Sequence, residues 1–387
     1  MFAVFHNTCK RVLLLLSIFF GLVACDAVPT GGQGGSSGVP VPVALLVPGG
    51  SGETTDEILA QSLENAARLA MRDLNGVTID LRVYRTAGDA ALAGALAEKA
   101  VDEGAEIIVG PVYAASANAA GKAVAGRNVN VLSFSNNSAI AGGNLFVLGP
   151  TFQNTADRMV EYGTSQGKQR YVIVHGQDAA GIQGRDAIQR AVDANGAAVT
   201  ASVSYALSQQ DVIAAIPSIS AAVNESAADA VFMTTDSASA LPLLSQLLPE
   251  AGITSETSQF MGLTRWDIPP QTLSLPGVQN GWFALPDPGA TATFSNQYQA
   301  AYATTPHPIG GLAFDAIAAI GALASQGSGD ALTASALTRS GGFRGASGIF
   351  RLNADGTNTR GLAVATITEA QVQILSPAPQ RFGGLGF

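Results

Sequence analysis

Cysteine is almost missing from this chain of 387 residues: Cys9 and Cys25 are the only two. Both lie near the start, so no disulfide can staple the long remainder, which must rest on a hydrophobic core. Basic residues are also scarce, with 20 Lys and Arg against 29 Asp and Glu and a net charge of −9. That balance argues against nucleic acid, whose binding rests on basic contacts to phosphate, and against charge-driven adhesion to anionic lipid. Histidine is limited to His6, His175 and His307, and no His/Asp/Glu cluster has metal-ligand spacing. No base is placed to activate a Ser or Cys nucleophile, and no phosphate-binding G-x-x-x-x-G-K-[ST] loop occurs. Gly163-Thr164-Ser165-Gln166-Gly167 matches G-x-S-x-G, but a nucleophile elbow needs a strand before it and a helix after. Here the pattern is reversed, so a helix C-terminal turn is expected. No catalytic residue, metal or cofactor is expected, and the chain reads as a binding protein rather than an enzyme.

What the chain does have begins at its N-terminus. Lys10 and Arg11 precede an apolar run from Val12 to Val23. That run is shorter than the ~20 residues a membrane span needs and reads as a secretion signal. Leu22-Val23-Ala24-Cys25 resembles the bacterial lipoprotein lipobox, which implies cleavage after residue 24 and lipidation of Cys25. Loss of Lys10 and Arg11, with no acid in residues 1–24, takes the charge from −9 to −11. Residues 25–40 follow as a Gly/Ser-rich tether with too little apolar content to fold. Asp26 resembles the inner-membrane retention signal of enterobacterial lipoproteins. The expected address is the periplasmic face of a bacterial membrane, the inner one slightly favoured.

From Val41 onward, apolar runs alternate with helical patterns. Val43-Ala44-Leu45-Leu46-Val47 is continuous, as in a strand buried on both faces. Leu59, Leu63, Ala66, Ala70 and Leu74 then share one helical face. Strands are expected at 81–84, 107–109 and 131–133, with helices between them. The same grammar restarts after Gly149-Pro150-Thr151, with strands expected at 171–174, 199–205, 230–233 and 260–263. A further crossing is expected near Trp282–Pro286. Residues 294–338 return to helices, and the tail carries an Asp355-Gly356 turn, a hairpin signal. Strand–helix alternation of this kind gives an α/β fold with mainly parallel sheets flanked by helices.

This order resembles the type I periplasmic binding protein fold, and within it the Leu/Ile/Val-binding family. The likeness rests on Gly110-Pro111 after a buried strand, on Gly149-Pro150-Thr151-Phe152-Gln153-Asn154, and on Phe343-Arg344-Gly345-Ala346-Ser347-Gly348-Ile349-Phe350 running into the hairpin. It implies two lobes joined by three crossings, closing on a small solute delivered to an ABC permease for amino-acid-like uptake. The expected division is 41–150 plus 285–342 for lobe one and 151–284 plus 343–376 for lobe two, with a tail at 377–387.

Open α/β sheets bind ligands beyond the carboxyl ends of their strands. The residues expected at the ligand are therefore Ser51, Tyr113, Ser116, Ser135 and Asn137 in lobe one, with Asp178, Asp236, Arg265 and Trp266 in lobe two. Ser116 is expected as a helix N-cap. Amino-acid binders are rich in hydroxyls after the third strand, whereas this chain has Tyr113-Ala114-Ala115-Ser116. Ala180 also stands where those binders often carry an aromatic residue. In that respect the chain resembles a sister branch, the penicillin-binding protein activators, lipoproteins that engage a peptidoglycan synthase.

Overall fold

The computed structural model describes residues 40–327 and 330–382. Cys25, the signal segment 1–24 and the tether up to residue 39 lie outside the described residues, as does the tail beyond 382. No described helix is long and apolar enough to cross a membrane.

The first lobe is built on a five-stranded parallel sheet in the order β2-β1-β3-β4-β5. Its strands are β1 (Val41–Val47), β2 (Ile79–Arg85), β3 (Ile107–Val109), β4 (Asn130–Ser133) and β5 (Leu145–Val147). The connections are α1 (Thr54–Arg72), α2 (Ala90–Asp102) and α3 (Ala114–Val124). Side chains alternate across a strand, and β1 shows why its run is apolar throughout. Val43, Leu45 and Val47 face a cluster containing Leu59, Leu63 and Ala66 of α1, with Ala313, Ile317 and Ile320 of α9 (Gly311–Ala324). Ala44 and Leu46 face Ala97 and Ala100 of α2 and Ala117, Ala120 and Val124 of α3.

The second lobe repeats the plan in a seven-stranded sheet ordered β15-β14-β10-β9-β8-β6-β7. Its parallel part is β6 (Arg170–Gly176), β7 (Ala198–Tyr205), β8 (Ala230–Met233), β9 (Gln259–Gly262) and β10 (Trp282–Pro286). β14 (Leu362–Thr368) and β15 (Gln371–Ser376) extend it antiparallel. Tyr171 and Ile173 pack toward α4 (Phe152–Ser165) and α5 (Ala179–Ala194). Val172 and Val174 pack toward α6 (Gln209–Ser226) and α7 (Leu241–Glu250). Gly163 to Gly167 indeed closes a helix: α4 ends at Ser165, whose Oγ donates to the Tyr162 carbonyl (2.6 Å), and Gly167 takes a φ of +81°.

Three crossings join the lobes: β5 to α4, β10 to α8 (Pro288–Tyr302), and β13 (Asn358–Arg360) to β14. Two boundaries differ from expectation. Residues 285–286 stay in the second sheet, where Leu285 and Pro286 pair with Ala363 and Leu362. Residues 343–352, expected in lobe two, form β11 (Phe343–Gly345) and β12 (Gly348–Leu352), and Phe343, Phe350 and Leu352 lie in the first lobe's core. The third crossing therefore follows the hairpin rather than preceding it. The reason is apolar: these aromatics fill the first lobe's core beside α9. The Asp355-Gly356 turn does close a hairpin, between β12 and β13.

Candidate functional site

Both sheets have strand order 2-1-3-4-5 in their parallel parts, so each has a switch point where successive connections leave in opposite directions. Ligands bind in the crevice there, beyond the strands' carboxyl ends. In lobe one the crevice lies between β1 and β3; in lobe two it lies between β6 and β8. The first two crossings leave from the carboxyl ends of β5 and β10, so both crevices open on the hinge side of their lobes.

In lobe one, the loop after β1 turns through Gly50 (φ +96°) into α1. Glu57, in the first turn of α1, accepts the Gly50 N–H (2.6 Å) on one oxygen and Arg85 Nη1 (2.7 Å) on the other. The Gly50 N–H, and then Arg85, hold the Glu57 carboxyl below its usual range. The chain's own carboxylate thus takes up a loop N–H and a guanidinium beside the crevice. Next to it, Tyr113 donates its hydroxyl to Asp56. That bond pushes the Tyr113 hydroxyl up to about 12. Its ring passes so close to Gly88 that a Cβ there would sit 3.1 Å from Cε2. The residue remains 41% exposed, so Tyr113 is a tethered aromatic side chain beside the crevice.

The other expected residues of this lobe serve the loops. Ser51 Oγ accepts the Glu53 N–H. Ser116 is fully buried and is not the N-cap: Tyr113 holds that position, and Ser116 Oγ donates to the Gly88 carbonyl (3.1 Å). Ser135 is buried and accepts the Asn137 N–H (3.1 Å), while Asn137 accepts the Ala139 N–H (3.0 Å).

In lobe two, Gly181 is required because a Cβ would come within 2.3 Å of the Gly176 carbonyl oxygen. Asp178 occupies the N-cap position of α5 but makes no capping bond with its side chain. Asp236 accepts the Ala238 N–H (3.1 Å). Burial raises the pKa of the Tyr205 hydroxyl, and the Asp178 and Asp236 carboxylates add to that rise against a contact with Thr235. Asp178 follows β6 and Asp236 follows β8, the paired strands that flank the crevice. Arg265 is paired with Asp267 (2.5 Å). Trp266 is a correction: it has no exposed surface and stacks near Phe283 in the core, so it cannot line a cleft.

Asp56, Glu57, Arg85 and Tyr205 were not among the expected residues. The pair Asp56-Glu57 in a helix's first turn was a readable signal, since acids favour that end of the helix dipole. Among the described residues, seven large exposed apolar side chains follow the carboxyl ends of these strands: Ile58, Leu92, Tyr113, Ile182, Leu207, Ile213 and Ile268. A separate open depression of about 1020 Å³ lies at the amino ends of the first sheet's strands, beside Val41 and Asn130. It is away from the switch points, and its Asn130 is spent on the Leu332 carbonyl.

The fold agrees with solved structures. A Rhodospirillum rubrum protein described as a branched-chain amino acid ABC transporter superposes with a TM-score of 0.73 at 16% identity, covering 87% of this chain and 100% of that one. An ABC transporter substrate-binding protein from Desulfitobacterium hafniense, in complex with Leu, gives 0.62 at 16% identity, covering 87% and 100%. A solute-binding protein of an ABC transporter from R. palustris, in complex with benzoate, gives 0.56 at 17% identity, covering 89% and 98%. No curated protein sequence matches the chain. The family model described as periplasmic binding protein matches residues 40–371. The chain thus belongs to the periplasmic binding protein family.

Proposed function

We propose that this protein is a non-catalytic solute receptor that binds a small molecule between its lobes and hands it to an ABC permease. The observation that carries the reading is the pair of switch-point crevices, each opening on the hinge side of its lobe. Exposed Ile58, Tyr113 and Ile182, which follow strands flanking the crevices, together with a few polar groups suit a small-molecule site. In this reading Tyr113, Asp178 and Asp236 meet the solute, with Ser51, Asn137 and Arg265 at the margin. The signal segment directs export and is removed, and lipid on Cys25 ties the body to the periplasmic side of a membrane.

The Glu57 and Tyr113 contacts favour one second reading. Because the first crevice is partly filled by its own side chains, a partner protein such as a peptidoglycan synthase would fit a body that needs no amino-acid ligand. One experiment separates them. A solute that binds only the native state raises the melting temperature and closes the lobes. A broad solute screen should produce such a shift together with a smaller scattering radius. If no solute does either, and the purified protein stimulates a peptidoglycan synthase, the receptor reading is wrong.

A further inference from the structure

The hinge carries a buried polar network centred on one ion pair. Arg360 lies on β13, in the third crossing, and its side chain is 5% exposed; Asp315 lies on α9 of the first lobe and is 1% exposed. They pair at 3.0 Å. Arg360 also donates to Ser347 Oγ (3.1 Å) and, through Nε (3.1 Å) and Nη2, to the carbonyl of Leu148 in the first crossing. The other Asp315 oxygen accepts the Ala346 N–H (2.7 Å). A buried ion pair is stabilising only when its remaining hydrogen-bonding groups are satisfied, and here several are. Gly345 leaves the space, since a Cβ there would sit 2.1 Å from Asp315 Oδ1.

Neighbouring bonds extend the tie. Asn358 donates to the carbonyls of Val147 and Gly149 (2.8 and 2.9 Å), and the Val147 N–H donates to Gly356. The Asp287 N–H of the second crossing donates to the Ser347 carbonyl (3.0 Å). From the second lobe, Asn154 reaches the Asn358 carbonyl (2.8 Å). All three crossings therefore meet one plate, and that plate is fixed to the first lobe by a buried charge pair and by Phe343 and Phe350 in its core.

We infer that β13 and the hairpin before it move with the first lobe, with Arg360–Asp315 as the clasp. Closure then pivots on the second-lobe side, at 149–151, at 286–287 and at 361–362. Pro286 pairs with Leu362, so two of these points are adjacent, as a common axis needs. The inference rests on the two-lobed receptor reading, which supplies the motion.

Spin-label distances test it in the full chain with Cys9 and Cys25 replaced by Ser. Labels go at three exposed sites: Lys122→Cys on the first lobe, Ala354→Cys on the plate and Asp193→Cys on the second lobe. The 122–354 distribution should be narrower than the 122–193 and 354–193 distributions by roughly twofold or more, as for one rigid body against a hinged one. A 122–354 distribution as broad as 122–193 overturns the inference while leaving the receptor reading intact. Three equally narrow distributions overturn both, because the lobes would not move.

Arg360→Met then tests the clasp through hydrogen exchange at the Val147 and Gly361 amides, expected to speed up by about tenfold or more as the plate opens locally. The Arg360→Met/Asp315→Leu double variant avoids an unpaired buried carboxylate and should keep the melting temperature close to wild type while exchanging as fast. Unchanged exchange in the folded double variant removes Arg360 as the clasp.

Discussion

Trp266 sits between Gly262 and Gly281, where a Cβ at either glycine would fall 2.4 Å from the indole, and it stacks near Phe283. Its position beyond a strand's carboxyl end suggested a ligand contact, but the two glycines make room for it inward. Truncation should therefore act on stability: Trp266→Ala is expected to cost about 3–5 kcal/mol in denaturant unfolding. A loss well under 1 kcal/mol would place the indole outside the core. Asp229 gives a pH signature. It accepts the N–H groups of Gln169 and Arg170 (3.0 and 2.9 Å) and pairs with the Arg170 guanidinium (2.9 Å). Arg170 foremost holds its carboxyl at about 2, against an ordinary 3.8. A depressed carboxylate stabilises the fold above its unfolded pKa and loses that contribution as pH falls through the folded one. Asp229→Asn should therefore be less stable than wild type at neutral pH, with the gap closing between about pH 4 and pH 2. A gap independent of pH would contradict the assignment.

At the scale of elements, α4 begins with a reciprocal cap. Thr151 Oγ1 accepts the Asn154 N–H (3.3 Å), and Asn154 Oδ1 accepts the Thr151 N–H (2.9 Å). Asn154 also reaches Asn358, so the cap joins the helix to the hinge. Thr151→Ala should cost about 1 kcal/mol, the usual worth of an N-cap, read from the denaturation midpoint. That cap was not among the expectations, and Ser116, which was, does not hold the N-cap position; the buried strands were legible, because a strand covered on both faces must be apolar throughout. β5 was not: three residues, Leu145–Val147, carry too short a pattern to separate from a loop. The start of α5 was also hidden, since Ala179–Gly184 has no strong helical periodicity and is set by packing on Gly176. The placement of β11 and β12 depends on which lobe offers their aromatics a cavity, which no local pattern encodes.

For the whole molecule, strand order points to a candidate site and side chains furnish it. The loops were legible because ligand crevices follow from topology. Their occupancy was not, since Tyr113 meets Asp56, and Glu57 meets Arg85, across long stretches of sequence. Those contacts also define what the first lobe offers a ligand: a tethered aromatic ring in place of a row of hydroxyls. Tyr113→Ala should weaken solute binding, read as the loss of most of the ligand-induced rise in melting temperature. Tyr113→Phe, which keeps the ring but not its bond to Asp56, should lose less. The central claim is that the cleft holds a small molecule, and native mass spectrometry of the freshly purified protein, presented with a solute library, tests it most directly. The account predicts a discrete adduct of small-molecule mass that leaves when the chain unfolds. The bare chain mass under every condition would contradict it.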